Sequence, residues 1–126
     1  MSINLRDAIE NIDALIYNTY STTDKVRWLS ALDGRIKRNL IDTHEGGCGV
    51  AFSGYDDDTP MDTELLVPHP YDGVYHYWLE AQIHYYDGEN TKYNTAMIMY
   101  NDALEEYEAY YHRTHRPVYR GNRFLF

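Results

Sequence analysis

Cysteine is nearly absent from this chain. Cys48 stands alone among 126 residues, so no internal disulfide can staple the fold and a reducing compartment is expected. No apolar run is long enough to span a bilayer. Met1 to Leu5 carries no basic stretch followed by an apolar run, so no signal peptide is expected. Lysine and arginine are missing from residues 39–91, a stretch with eleven acids, and acids are missing from residues 112–126. The net charge of −9 excludes a surface built to neutralise phosphates, hence no sequence-specific nucleic-acid binding is expected.

What remains is enough for one folded domain. The length suits a single core, and 44% apolar content with 25% charged residues is ordinary for a globular chain. The spacing predicts a mainly α fold: four helices in an antiparallel arrangement, a long middle loop over 44–70, and an extended C-terminal arm over 116–126 after a domain of residues 1–115. The first helix is expected over about 4–17, with Asn4 as cap and Leu5, Ala8, Ile9, Ile12, Leu15 and Ile16 on one face. The second is expected over about 22–41, opened by Ser21 and Asp24 at capping-box spacing. Val26, Leu29, Leu32, Ile36 and Leu40 form its apolar stripe, interrupted by Gly34.

Glycines and the turn at Asp56-Asp57-Asp58-Thr59-Pro60 end the helical period in the middle. Val50-Ala51-Phe52 and Leu65-Leu66-Val67 flank that turn and suggest a small β-hairpin. Pro68 and Pro70 hold the chain extended before a third helix over about 73–87, for which Asp72 is the expected cap. Tyr75, Trp78, Leu79, Gln82, Ile83 and Tyr86 are its expected inner side. Asp87-Gly88 ends it, and a fourth helix follows over about 90–114. Tyr93, Met97, Tyr100, Leu104, Tyr107 and Tyr111 repeat there at 4-3-4-3-4, a heptad seam. Fourteen tyrosines in so small a chain cannot all be interior; many belong at the rim or at a contact, where the ring is covered and the hydroxyl stays wet.

Catalytic patterns are scarce. His76, Glu80 and His84 share a helical stripe and are the candidate metal ligands, but their spacing matches neither H-E-x-x-H nor the Glu-x-x-His of di-iron bundles. We expect no metal and no other cofactor. The acids of 56–64 lack the EF-hand order. Cys48 has no electropositive neighbour to activate it. No triad, oxyanion hole or phosphate loop is present, so the chain reads as a non-enzyme. The expected contact residues are the arm's Arg116, Tyr119, Arg120, Arg123, Phe124 and Phe126, with Asp56, Asp57 and Asp58 as acidic counterparts. An acidic middle and a basic end suit head-to-tail contact between copies, or neutralisation within one copy.

Several phrases in order carry a resemblance: Val26-Arg27-Trp28-Leu29 to Ile41-Asp42-Thr43-His44, Gly54-Tyr55-Asp56-Asp57-Asp58-Thr59, Glu64-Leu65-Leu66-Val67-Pro68, Pro70-Tyr71-Asp72 leading to Tyr77-Trp78-Leu79-Glu80-Ala81-Gln82-Ile83, Lys92-Tyr93-Asn94, and Tyr110-Tyr111-His112-Arg113-Thr114-His115. Over about residues 22–116 the chain resembles the head–tail connector, or adaptor, proteins of long-tailed phages and prophages of Gram-positive bacteria. The resemblance implies a structural virion protein: a homo-oligomeric ring between portal and tail, contacting portal and tail-completion proteins. It implies assembly in the host cytoplasm, a final place at the virion neck, and no membrane. Another neck or tail-completion protein, or a non-phage helical protein-binding module, also fits the pattern. No residue matches a known functional position of the family.

Overall fold

A computed structural model describes residues 2–44, 46–50 and 52–115. Four helices account for most of them: α1 (Leu5–Leu15), α2 (Thr22–Asn39), α3 (Gly73–Asp87) and α4 (Asn90–Thr114). Two short strands, β1 (Ser2–Asn4) and β2 (Glu64–Pro68), form an antiparallel pair with Ser2 opposite Pro68 and Asn4 opposite Glu64. Leu65-Leu66-Val67 is therefore a strand, but its partner is the N-terminus and not Val50 or Phe52, and Ala51 lies outside the described residues. The two-residue alternation explains the choice: Leu65 and Val67 point into the core from β2, and β1 leads directly into α1, so the pairing lays α1 on the same core.

The helix starts follow their caps. Asn4 Oδ1 accepts from the Asp7 amide at 2.8 Å, and Ser21 Oγ accepts from the Asp24 amide at 3.1 Å. The Leu5 and Arg6 amides donate to the Thr63 and Met61 carbonyls, so the middle segment completes the start of α1. Asp72 occupies the cap position of α3 but makes no side-chain cap bond. The helix ends are shorter than periodicity alone implies. α1 stops at Leu15 because Ile16 is extended and its carbonyl is taken by the Asn18 side chain at 2.9 Å. α2 stops at Asn39, where the Leu40 carbonyl accepts from the Thr43 amide and hydroxyl in a 3₁₀ turn over Ile41–Thr43. Gly88, at φ +79°, closes α3 in the left-handed conformation and turns the chain into α4.

α3 is the central element. It packs along α4 and also against α1 and α2. That is why Val74, Tyr75, Trp78, Leu79, Ala81, Ile83 and His84 are all buried, on more than one face. Two expectations change here. Tyr86, assigned to the inner side, is 57% exposed, whereas His84, assigned to the polar stripe, is 8% exposed. The α4 seam is as spaced: Tyr100, Tyr107 and Tyr111 are buried and Tyr93, Met97 and Leu104 partly so, with Ala96 and Ala103 beside them.

One buried polar network ties the layers together. Asp33 of α2 is fully buried and accepts from Tyr75 Oη at 2.7 Å, Tyr55 Oη at 2.6 Å and the Leu66 amide at 3.1 Å. Tyr75 Oη in turn accepts from the Val67 amide at 2.8 Å. A carboxylate with three donors and a hydroxyl with both roles filled meet the requirement that buried polar groups be paired. The network joins α2, the loop, β2 and α3 at one point.

Candidate interaction surface

The stripe His76, Glu80, His84 does come together, and a fourth group joins it. Glu80 lies between the two imidazoles, 3.5 Å from His76 Nε2 and 3.4 Å from His84 Nε2. Glu89 approaches His84 Nδ1 to 3.4 Å, yet that nitrogen is buried and makes no hydrogen bond. Among the described residues no group of three or more His, Cys, Asp or Glu side chains has the geometry of a metal site. The stripe instead forms one wall of an open groove of about 550 Å³. The end of α1 supplies Leu15, Ile16 and Tyr17; α3 supplies Glu80, His84 and Asp87; and the start of α4 supplies Thr91, Lys92 and Thr95, with Glu89 at the corner. Leu15, expected on the apolar face of the first helix, is instead 71% exposed, and Tyr17 is 89% exposed.

Among the described residues, three carboxylates face this groove, and Lys92, which pairs with Glu89 at 3.2 Å, is its one lysine or arginine. Asp87 accepts from Tyr20 Oη at 2.7 Å. That bond, with the carboxylate's charge behind it, pushes the phenol up to about 12. Above it lies an aromatic edge: Trp28 stacks on Tyr86 at 5.6 Å, and Tyr20 meets Trp28 edge-on at 5.5 Å. Trp28 is held in turn by Trp78, whose indole N–H donates to the Trp28 carbonyl at 2.9 Å.

A second aromatic cluster sits at the far end of α4. His44, buried beneath the 3₁₀ turns, has Nδ1 at 2.8 Å from the Leu40 carbonyl, so Nδ1 carries the proton and Nε2 accepts from His112 Nδ1 at 2.9 Å. Tyr111 meets His44 edge-on and stacks on His115 at 3.8 Å. Tyr71 stacks on Tyr110 at 4.7 Å. These contacts lock the last turns of α4 to the body. Of the tyrosines described, only Tyr75, Tyr100, Tyr107 and Tyr111 are buried; the others lie at rims.

The remaining contact candidates divide. Asp56, Asp57 and Asp58 are exposed on a turn in which Asp56 Oδ1 accepts from the Asp58 amide at 2.9 Å and from Thr59 Oγ1 at 3.2 Å. Asp56 is thus engaged in shaping the turn, while Asp57 and Asp58 face solvent. Arg116, Tyr119, Arg120, Arg123, Phe124 and Phe126 lie outside the described residues. Sequence reasoning missed Glu89 and Leu15 as groove residues and Asp33 as the network centre. A signal existed for Asp33 alone: it falls between Leu32 and Ile36 on the buried stripe of α2.

Among the described residues no helix is long and apolar enough to cross a membrane. Comparison with family models, with characterised proteins and with solved structures returned no significant match.

Proposed function

We propose that this chain is a structural assembly subunit, a head–tail connector that forms a ring between portal and tail in a phage or prophage particle. The sequence phrases set out above support the placement in a particle. The observation that carries the assembly reading is the division of charge over a rigid body. The acids of the middle segment stay at the surface, on the 56–58 turn and along the α3–α4 groove, while residues 112–126 carry four arginines and no acid. Complementary patches of this kind set orientation and register between copies. The helices are locked by the Asp33 network and by the His44–His112 pair, so the body docks without rearrangement. Acidic groups lining a channel would also repel DNA passing through it.

Another neck or tail-completion role would keep this fold and change the partner. A non-phage module binding a cationic peptide is favoured by one observation, the open acidic groove. The genes flanking this one separate the readings. Portal and capsid genes upstream and tail genes downstream are the expected result; a metabolic or regulatory neighbourhood contradicts the connector assignment.

A further inference from the structure

We infer that the α1–α3–α4 groove is the receptor for residues 116–126 of a second copy of this chain. The inference rests on the assembly reading and names the contact that reading requires. Three features of the groove define its ligand. Glu80, Asp87 and Glu89 ask for positive charge. His84 turns Nε2 toward Glu80 and leaves Nδ1 buried without a partner. Glu80 and Glu89 stand 3.4 Å from opposite ring nitrogens of His84 without a hydrogen bond to it, and Lys92 is the one cation on Glu89 among the described residues. A guanidinium, planar with five N–H donors, can take a carboxylate of this groove with two parallel hydrogen bonds; a lysine ammonium offers no such fork. The third feature is the apolar rim, Leu15 and Tyr17, both largely exposed, which suits an aromatic neighbour of that arginine. Residues 116–126 combine Arg116, Arg120 and Arg123 with Tyr119, Phe124 and Phe126, and have no acid.

Chain geometry decides between a chain's own groove and that of a neighbour. The groove lies at the first turns of α4, and the basic segment begins past its last turn, after Thr114. From Lys92 to Thr114 the helix rises about 33 Å. An extended chain advances at most about 3.5 Å per residue, so Arg120 of the same copy lies at most about 21 Å from the end of α4. Arg123 of the same copy approaches only with every residue stretched back along the helix. A second copy meets no such limit, and its segment places arginine and aromatic together in the groove. Repeated head to tail, the contact is heterologous and closes into a ring if the rotation allows.

The test is a titration of a labelled peptide of residues 116–126 into dilute full-length chain, read by fluorescence anisotropy. Wild type should bind it, with affinity falling as salt rises. Glu89→Lys should weaken binding at least tenfold, and Lys92→Glu, which adds an acid to the groove, should strengthen it severalfold. Both side chains lie at the surface, and Lys92→Glu gains affinity, so a folding defect cannot imitate the pair of results. A peptide with Arg120 and Arg123 replaced by Glu should lose binding to wild type and recover it on Glu89→Lys. Equal binding by wild type, Glu89→Lys and Lys92→Glu, or no binding by wild type at the highest peptide concentration, overturns the inference. A Glu89→Lys chain that still forms rings on its partner would overturn the groove contact and leave the assembly reading standing. A wild-type chain that binds the peptide at the groove but never assembles would do the reverse.

Discussion

Replacing Asp33 with alanine removes the acceptor at the centre of the only point where α2, the loop, β2 and α3 share hydrogen bonds among the described residues. Three donors lose their partner. The Tyr75 hydroxyl is fully buried and cannot reach water; Tyr55 and Leu66 are half-buried and regain part of their loss from solvent. An orphaned buried donor costs about 1–3 kcal/mol, so the sum is about 3–4 kcal/mol. For a domain of this size that lowers Tm by about 10–20 °C. Asp33→Asn keeps the shape and one acceptor but turns an amide toward the Tyr75 hydroxyl, and should cost about 1–2 kcal/mol. Tyr75→Phe strips the Val67 amide of its acceptor, again about 1–2 kcal/mol. Because Asp33 and Tyr75 share a bond, the double variant Asp33→Ala/Tyr75→Phe should be less damaging than the two singles added, by about 1 kcal/mol.

Urea unfolding followed by circular dichroism measures all four. The pH dependence adds a sign. Burial lifts the Asp33 carboxyl above its ordinary value, outweighing the three hydrogen bonds that pull it down. The folded state therefore holds that proton more tightly than the unfolded chain. Stability from this source is full below the unfolded value of about 3.9 and is lost as pH rises through the folded one. The advantage of wild type over Asp33→Ala should accordingly shrink as pH rises from about 4. An Asp33→Ala cost under about 1 kcal/mol, strict additivity with Tyr75→Phe, or an advantage that grows with pH would refute the reasoning.

Other substitutions test the packing and the groove. A Cβ at Gly47 would sit 1.9 Å from the Ile41 carbonyl oxygen, so Gly47→Ala should destabilise by about 3 kcal/mol, whereas Gly49→Ala, with open space around it, should change stability by less than about 0.5 kcal/mol; paired thermal melts read both. A Cβ at Gly34 meets only the Phe52 ring at 3.7 Å, an ordinary contact. Gly34→Ala should therefore stabilise α2 by about 0.5–1 kcal/mol, and a loss of stability there would show that the helix needs the gap. The difference in alkaline absorbance between wild type and Tyr20→Phe should place the missing phenol near about 12; Asp87→Asn should return it toward about 10.

Much of this molecule is legible in its sequence, for identifiable reasons. Asn4, Ser21 and Gly88 mark helix boundaries through local hydrogen bonds and backbone preference, which a single chain displays openly. The α4 seam, with its tyrosines every three or four residues, is a periodic signal. What periodicity cannot show is which distant segment completes a structure. β1 is three residues long and finds β2 about sixty residues away, whereas the apolar pattern alone points to the nearer run at residues 50–52. A stripe on α3 that reads as polar becomes partly interior because three helices surround it, and that is how His84 ends up buried with an unpaired nitrogen. Glu89 joins the groove through a turn, a position with no pattern of its own, whereas Leu15 shares the apolar spacing of α1 and is exposed because it is the helix's last residue. The Asp33 network is a tertiary event, although a lone acid on an apolar stripe already asks for buried donors.

The central claim is that this body assembles through its basic terminal segment. Electron microscopy of the purified chain, mixed with a portal assembly should the flanking genes encode one, tests it, run in parallel with a chain ending at residue 115. The expected result is rings of the full chain on the portal, none with the shortened chain, and the same cooperative melting for both. Rings that form equally well without residues 116–126, or a shortened chain that no longer melts cooperatively, would contradict it.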